Sequence, residues 1–181
     1  NENRKELRHC NSALKEEQSQ LKKFRRKELL AMRRIPAEIA IERNTWFHLG
    51  VNSDQQFIYC LKRMLEPVKE HVDNNFNPLP QAYKDDFENT RRKINELMNH
   101  TEQMISTNRY ELYQETLNIA DECKDELSTM RKRVIDIMYQ DNNANLKVSL
   151  LYLNILQESQ EFLSVMRHQL RAARKFLDDR Q

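Results

Sequence analysis

One glycine, Gly50, in 181 residues leaves little room for sheets, tight hairpins or phosphate-cradling loops, which rely on glycine to reach positive φ. The prolines agree: Pro36, Pro78 and Pro80 fall between long stretches of helical periodicity. Only Pro67 lies inside one, where its missing N–H predicts a kink rather than a stop. The expected fold is therefore all-α, an antiparallel bundle of about five long helices.

The apolar spacing supplies the helices. Tyr152, Leu156, Ser159, Leu163, Met166, Leu170, Ala173 and Leu177 recur at alternating steps of four and three, the rhythm of a bundle seam. Tyr113, Thr116, Ala120, Cys123, Leu127, Met130, Val134 and Ile137 repeat it, and Gln140 to Asn145 reads as the polar loop between these two segments. A third segment follows Pro80 through Tyr83, Phe87, Thr90, Ile94, Leu97, Thr101 and Met104, with Thr107 or Asn108 expected to cap the next helix. The second, after Pro36, carries Phe47, Val51, Asp54, Ile58, Leu61, Leu65, Val68 and Val72, and at 1.5 Å per residue should be about 55 Å long. The first shows Leu7, Leu14 and Leu21 with Cys10 and Phe24 but slips in phase near Glu28, Leu29 and Leu30. Segments two to five are expected to form an up-down bundle (35–181), with a basic helix (1–34) partly protruding.

Formal net charge is only +2, but residues 1–34 hold eleven basic and five acidic side chains. Such an arm suits an anionic membrane surface, while the interspersed acids argue against nucleic acid and allow a solvated helix face. Cys10, Cys60 and Cys123 are too scattered for a disulfide framework and read as reduced thiols. No apolar run approaches the ~20 residues of a membrane span. The chain opens in mid-pattern at Asn1, which suggests a segment of a longer polypeptide.

Motif-borne catalysis is absent: there is no H-E-x-x-H, G-x-S-x-G, P-loop or EF-hand pattern. His71, beside Glu70 and Asp73, reads as an exposed helix residue. Asp54 and Ser159 are the polar intruders on apolar seams, and a buried carboxylate needs a partner. His48 and Asn52 lie near Asp54, while Asn154, Gln157, Glu158 and Glu161 surround Ser159. Two polar clusters facing each other would make either a hydrogen-bonded layer or an ion or effector site. Trp46, Phe47, Phe57 and Tyr59 gather around Gly50, which marks either close helix packing or a ligand slot.

From Leu150 to Phe176, and from Asn44 to Pro80 with its H-V-D-N-N-F-N-P-L-P close, the chain resembles the PhoU-like domain. More narrowly, it is similar to the cytosolic C-terminal domain of bacterial sodium/phosphate cotransporter-family proteins. The resemblance implies a helical bundle that controls phosphate uptake and, in metal-binding members, carries E-R-x-x-D or E/D-x-x-x-D ligand motifs. Here the last helix has Gln160, Glu161 and Ser164 at the motif positions, and the second offers Asn52, Asp54, Gln55 and Gln56. Hard cations favour charged oxygen ligands, so no family-type metal cluster is expected. Asp54, Glu158 and Glu161 are the ligands left should a single ion bind.

These readings lead to a non-enzymatic regulatory domain with no cofactor, on the cytoplasmic face of the inner membrane. Its expected partners are the membrane-embedded transporter domain of the same polypeptide, a second copy in a homodimer, and anionic lipid through residues 1–34. The competing readings are a metal-binding module and a structural helical spacer.

Overall fold

The computed structural model describes residues 2–140 and 145–177. Among them are five helices and no strands: α1 (Glu2–Met32), α2 (Ala37–Asp73), α3 (Gln81–Thr107), α4 (Tyr113–Gln140) and α5 (Leu146–Leu177). Pro36 and Pro80 stand at the N-caps of α2 and α3, where a missing N–H costs nothing. Pro67 is held inside α2, which continues to Asp73.

The chain reverses by positive-φ asparagines where other proteins use glycine. Asn75 (φ 54°) follows α2, and Asn108 (φ 52°) closes α3 with its N–H on Met104 O. Asn108 is thus a C-cap rather than the expected N-cap of α4, and the Thr107 hydroxyl donates back to Gln103 O. α4 starts five residues after Asn108, beyond the turn in which Tyr113 N–H bonds Tyr110 O. Asn145 caps α5 through its side-chain oxygen, which accepts from Val148 N–H at 3.3 Å. The rest of the anticipated polar loop, residues 141–144, lies outside the described residues.

Helix α5 is the centre of the molecule: it packs against α2, α3 and α4. Leu97, Cys123, Leu127, Tyr152, Leu156, Leu163 and Met166 are all but fully buried in the α3–α4–α5 core. Each buried leucine of this kind contributes about 2 kcal/mol. Tyr83 stacks on Tyr152 at 4.4 Å. A smaller cluster of Cys60, Phe162 and Val165, flanked by Phe57 and Met64, joins α2 to α5.

Direction alternates along the chain, but the bundle is not closed. α2 makes no close backbone approach to α3. A groove of about 430 Å³ separates them, walled by Phe57, Leu61, Met98 and Ile105 and floored by Phe162 and Met166 of α5.

Helix α1 does not protrude. It packs on α2 alone, running antiparallel from Arg4, which meets Val72, Asp73 and Asn75, to Arg25, which donates to Gln55 Oε1 at 2.6 Å. The apparent phase slip also resolves. The half-buried positions run Arg4, Leu7, Asn11, Leu14, Gln18, Leu21, Arg25, Glu28 and Met32, an unbroken three-four alternation with polar residues between the leucines. Phe24, Leu29 and Leu30 lie off that seam and are half-exposed.

Candidate binding cleft

The polar seam residues separate into two places. Glu158 is buried on α5 and accepts from Arg63 Nε of α2 at 2.8 Å, an ion pair open to water only on the arginine side. Arg63 also reaches Cys60 Sγ. Glu161 is exposed beside this pair. Asp54 meets a different part of α5: its Oδ1 accepts from Gln169 Nε2 at 2.8 Å. Gln169, the partner of Asp54, and Glu158 stand eleven residues apart on α5, roughly 16 Å along the axis. The two anticipated clusters therefore do not face one another, and Asp54, Glu158 and Glu161 share no site. Ser159 needs no partner across the bundle, since its hydroxyl donates to Ile155 O within the same helix at 2.8 Å.

Gln160, at a motif position for a metal ligand, instead joins α4 to α5. Its amide donates to Lys124 O and Ser128 Oγ, and its oxygen accepts from Arg131. Carboxylates do gather between α3 and α4, at Asp85, Asp86, Glu122, Asp125 and Glu126, but Arg133 pairs with Asp86, and Lys93 with Glu126. Among the described residues, no group of three or more His, Cys, Asp or Glu side chains is arranged to hold a metal. His71 is not an exposed helix residue but is buried. Its Nε2 contacts Asn77 O at 2.7 Å and its ring meets Phe76 edge-on, fixing the turn after α2.

The aromatic group around Gly50 also divides. Phe57 packs on Phe162 at 4.9 Å within the core, and Tyr59 faces solvent with its hydroxyl taking a hydrogen bond from Gln55. Trp46, Phe47 and Gly50 instead line a cleft of about 360 Å³ where α1, α2 and α5 converge. Gly50 is not there for close packing. Its φ is ordinary, and a Cβ built on it would meet only Ala172 Cβ, at 3.9 Å, an ordinary contact.

The cleft is amphipathic along its length. Glu28, Asp54 and Gln169 stand at one end; seven residues away along α2 and α5, Phe47 and Phe176 stand at the other, roughly 10 Å off, joined by Ile35 from the turn after α1. Met32, Val51, Ala172 and Ala173 wall the middle. Burial and then the charge of Glu28 push the Asp54 carboxyl up to about 6, against a smaller opposing effect of the Gln169 hydrogen bond. Gln169 Oε1 is buried without a hydrogen-bond partner. At the mouth, Arg171 lies over Trp46, and Arg43 over Phe176, whose carbonyl it also holds at 2.8 Å.

The α2 half of this cleft was legible, because Gly50, Asp54 and the aromatic residues stand out on one helix. Glu28 and Gln169 were missed, since only the register between helices brings them to Asp54. The fold is an all-helical bundle with an amphipathic cleft where α1, α2 and α5 converge. No protein-family model, curated protein or solved structure matches the chain.

Proposed function

We propose that this chain is a non-enzymatic regulatory and interaction domain working at the cytosolic face of a membrane, with the α1–α2 hairpin as its contact arm. The observation that carries the reading is the free end of that hairpin. On α1 and the following turn, Lys22, Lys23, Arg26, Lys27, Arg33 and Arg34 are all exposed while Glu28 turns inward to the cleft, so these six cations outnumber the exposed acids of the adjoining first turns of α2, Glu38 and Glu42. Phe24, Leu29 and Leu30 on α1 and Ile41 on α2 are between half and four-fifths exposed on the same end. Clustered cations gain ~1 kcal/mol each beside an anionic leaflet, and apolar side chains among them add interfacial burial. No described helix is long and apolar enough to cross a membrane.

The resemblance to the PhoU-like domain extends the proposal to a sodium-dependent phosphate transporter, whose membrane-embedded part would belong to the same polypeptide. The domain would modulate phosphate transport by preferring one transporter conformation, since coupling needs such a difference.

Two experiments test this. The chain should co-sediment with phosphatidylserine-containing vesicles, be released by salt, and ignore pure phosphatidylcholine. A K22E/K23E/R26E/K27E variant should lose that binding with its helicity intact, and equal sedimentation of both forms would remove the membrane role. Reading the gene upstream of Asn1 tests the transporter: repeated apolar spans there support it, and further bundle repeats point to a spacer.

A further inference from the structure

We propose that the cleft between α1, α2 and α5 binds a small organic ammonium ion, its cationic head held by Glu28 and Asp54 and its apolar body lying toward Phe47 and Phe176. Three observations converge on this class of ligand, none of them dependent on the membrane proposal.

The first is charge. No lysine or arginine lines the cleft, and its inner end holds two carboxylates and an amide. Asp54 Oδ1 and Gln169 Nε2 already satisfy each other, so what remains to meet a ligand is acceptor capacity: the second Asp54 oxygen and the Glu28 carboxylate. A primary ammonium brings three donors and the opposite charge. A carboxylate or phosphate would meet repulsion there, and the one side-chain N–H donor of the lining at that end, Gln169 Nε2, is already engaged by Asp54.

The second is shape. The polar groups sit at one end and the apolar walls extend roughly two helical turns beyond them, so the complementary molecule is a cation with a body of about 10 Å.

The third is Gly50. A glycine inside a helix costs about 1 kcal/mol against alanine, and neither its φ nor a neighbouring atom requires it here. A side chain at position 50 would stand in the wall of the cleft; glycine leaves that space to an occupant.

Trp46 is the single tryptophan of the chain and lines the cleft, so its emission reports occupancy directly. The whole chain is titrated with phenylbutylamine, which has a terminal ammonium and a body of matching length. Saturable change in Trp46 emission with one-site stoichiometry by calorimetry is expected. Phenylbutyrate, with the same body and a carboxylate, and methylammonium, with the head and no body, should each bind at least tenfold more weakly. Asp54→Asn should weaken phenylbutylamine about tenfold while leaving helicity unchanged. Gly50→Leu should abolish binding by filling the slot, and Asp54→Asn serves alone if that variant does not fold. Equal binding of amine and acid, an Asp54→Asn variant that binds like the parent, or no saturable response to the amine would overturn the assignment.

Discussion

Replacing Gly50 by alanine should stabilise this protein, and the size of the effect follows from the structure. In the middle of a 37-residue helix, glycine costs about 1 kcal/mol relative to alanine, partly through the freedom it retains when unfolded. Set against that gain is any steric penalty for the new methyl. Its nearest neighbour is Ala172 Cβ at 3.9 Å, so α2 and α5 need not move apart. The net expectation is about 1 kcal/mol of added stability, which for a chain of this size raises the melting temperature by roughly 2–4 °C. Urea unfolding followed by Trp46 emission, one turn from the substitution, and by far-ultraviolet circular dichroism measures it, with the denaturant slope unchanged. A G50A variant less stable than the parent would mean that α2 and α5 touch at Gly50, and would take away the argument that this residue keeps a cleft open.

Asp54 and Glu158 yield two further predictions with different signs. The folded-state value of about 6 lies above the ordinary 3.8, so the folded chain binds more protons between those limits and stability falls as pH rises through that window. Asp54→Asn should flatten this part of the pH–stability profile and add about 1–2 kcal/mol near neutrality, less than the full shift implies because the carboxyl is partly hydrated; a profile unchanged by the substitution refutes the assignment. Arg63→Ala, by contrast, strands the buried Glu158 carboxylate and should cost about 1–2 kcal/mol, whereas Glu158→Gln should be close to neutral in the same urea titrations. Equal losses from both substitutions would show that packing, not charge, governs this contact.

Side-chain rhythm revealed the core on α4 and α5, where burial is imposed on each helix separately, whereas on α2 the buried residues, Ser53, Cys60 and His71, lie off the expected series. Tyr152, Leu156, Ser159, Leu163, Met166 and Leu170 form one three-four series on α5, and all are buried. From Thr116 to Val134 the α4 series is buried too, and it fails at Ile137, which is 43% exposed near the helix end. Register between helices is not carried by that rhythm, so the partners of Asp54 and Glu158 could not be read. Arg63 serves Glu158 from an exposed position on α2, and nothing in its spacing announces a buried partner. The seam of α1 was hidden for another reason: Arg4, Asn11, Gln18 and Arg25 occupy positions where apolar residues signal contact, and their stems and amides do the packing instead. His71 followed the same logic in reverse, since the turn ending in Asn77 folds back to cover it.

Stability is therefore unevenly distributed, and the gradient bears on function. The described side chains of α1 include none that is buried, and this helix packs on α2 alone through a seam only half apolar. It can leave without exposing Leu127, Leu156 or Leu163, so local opening of the arm costs much less than opening the core. The cleft lies across that weak joint: Glu28 and Met32 belong to the arm, Gln169 and Phe176 to the core helix. Without a ligand, Glu28 and Asp54 repel one another there, which favours release of the arm. A cation bound between them removes the repulsion and touches both sides of the joint, so on the proposed reading it favours the docked arm. Linkage then requires the converse, that whatever holds or frees the basic end of α1, an anionic surface included, changes the affinity of the cleft by the same factor.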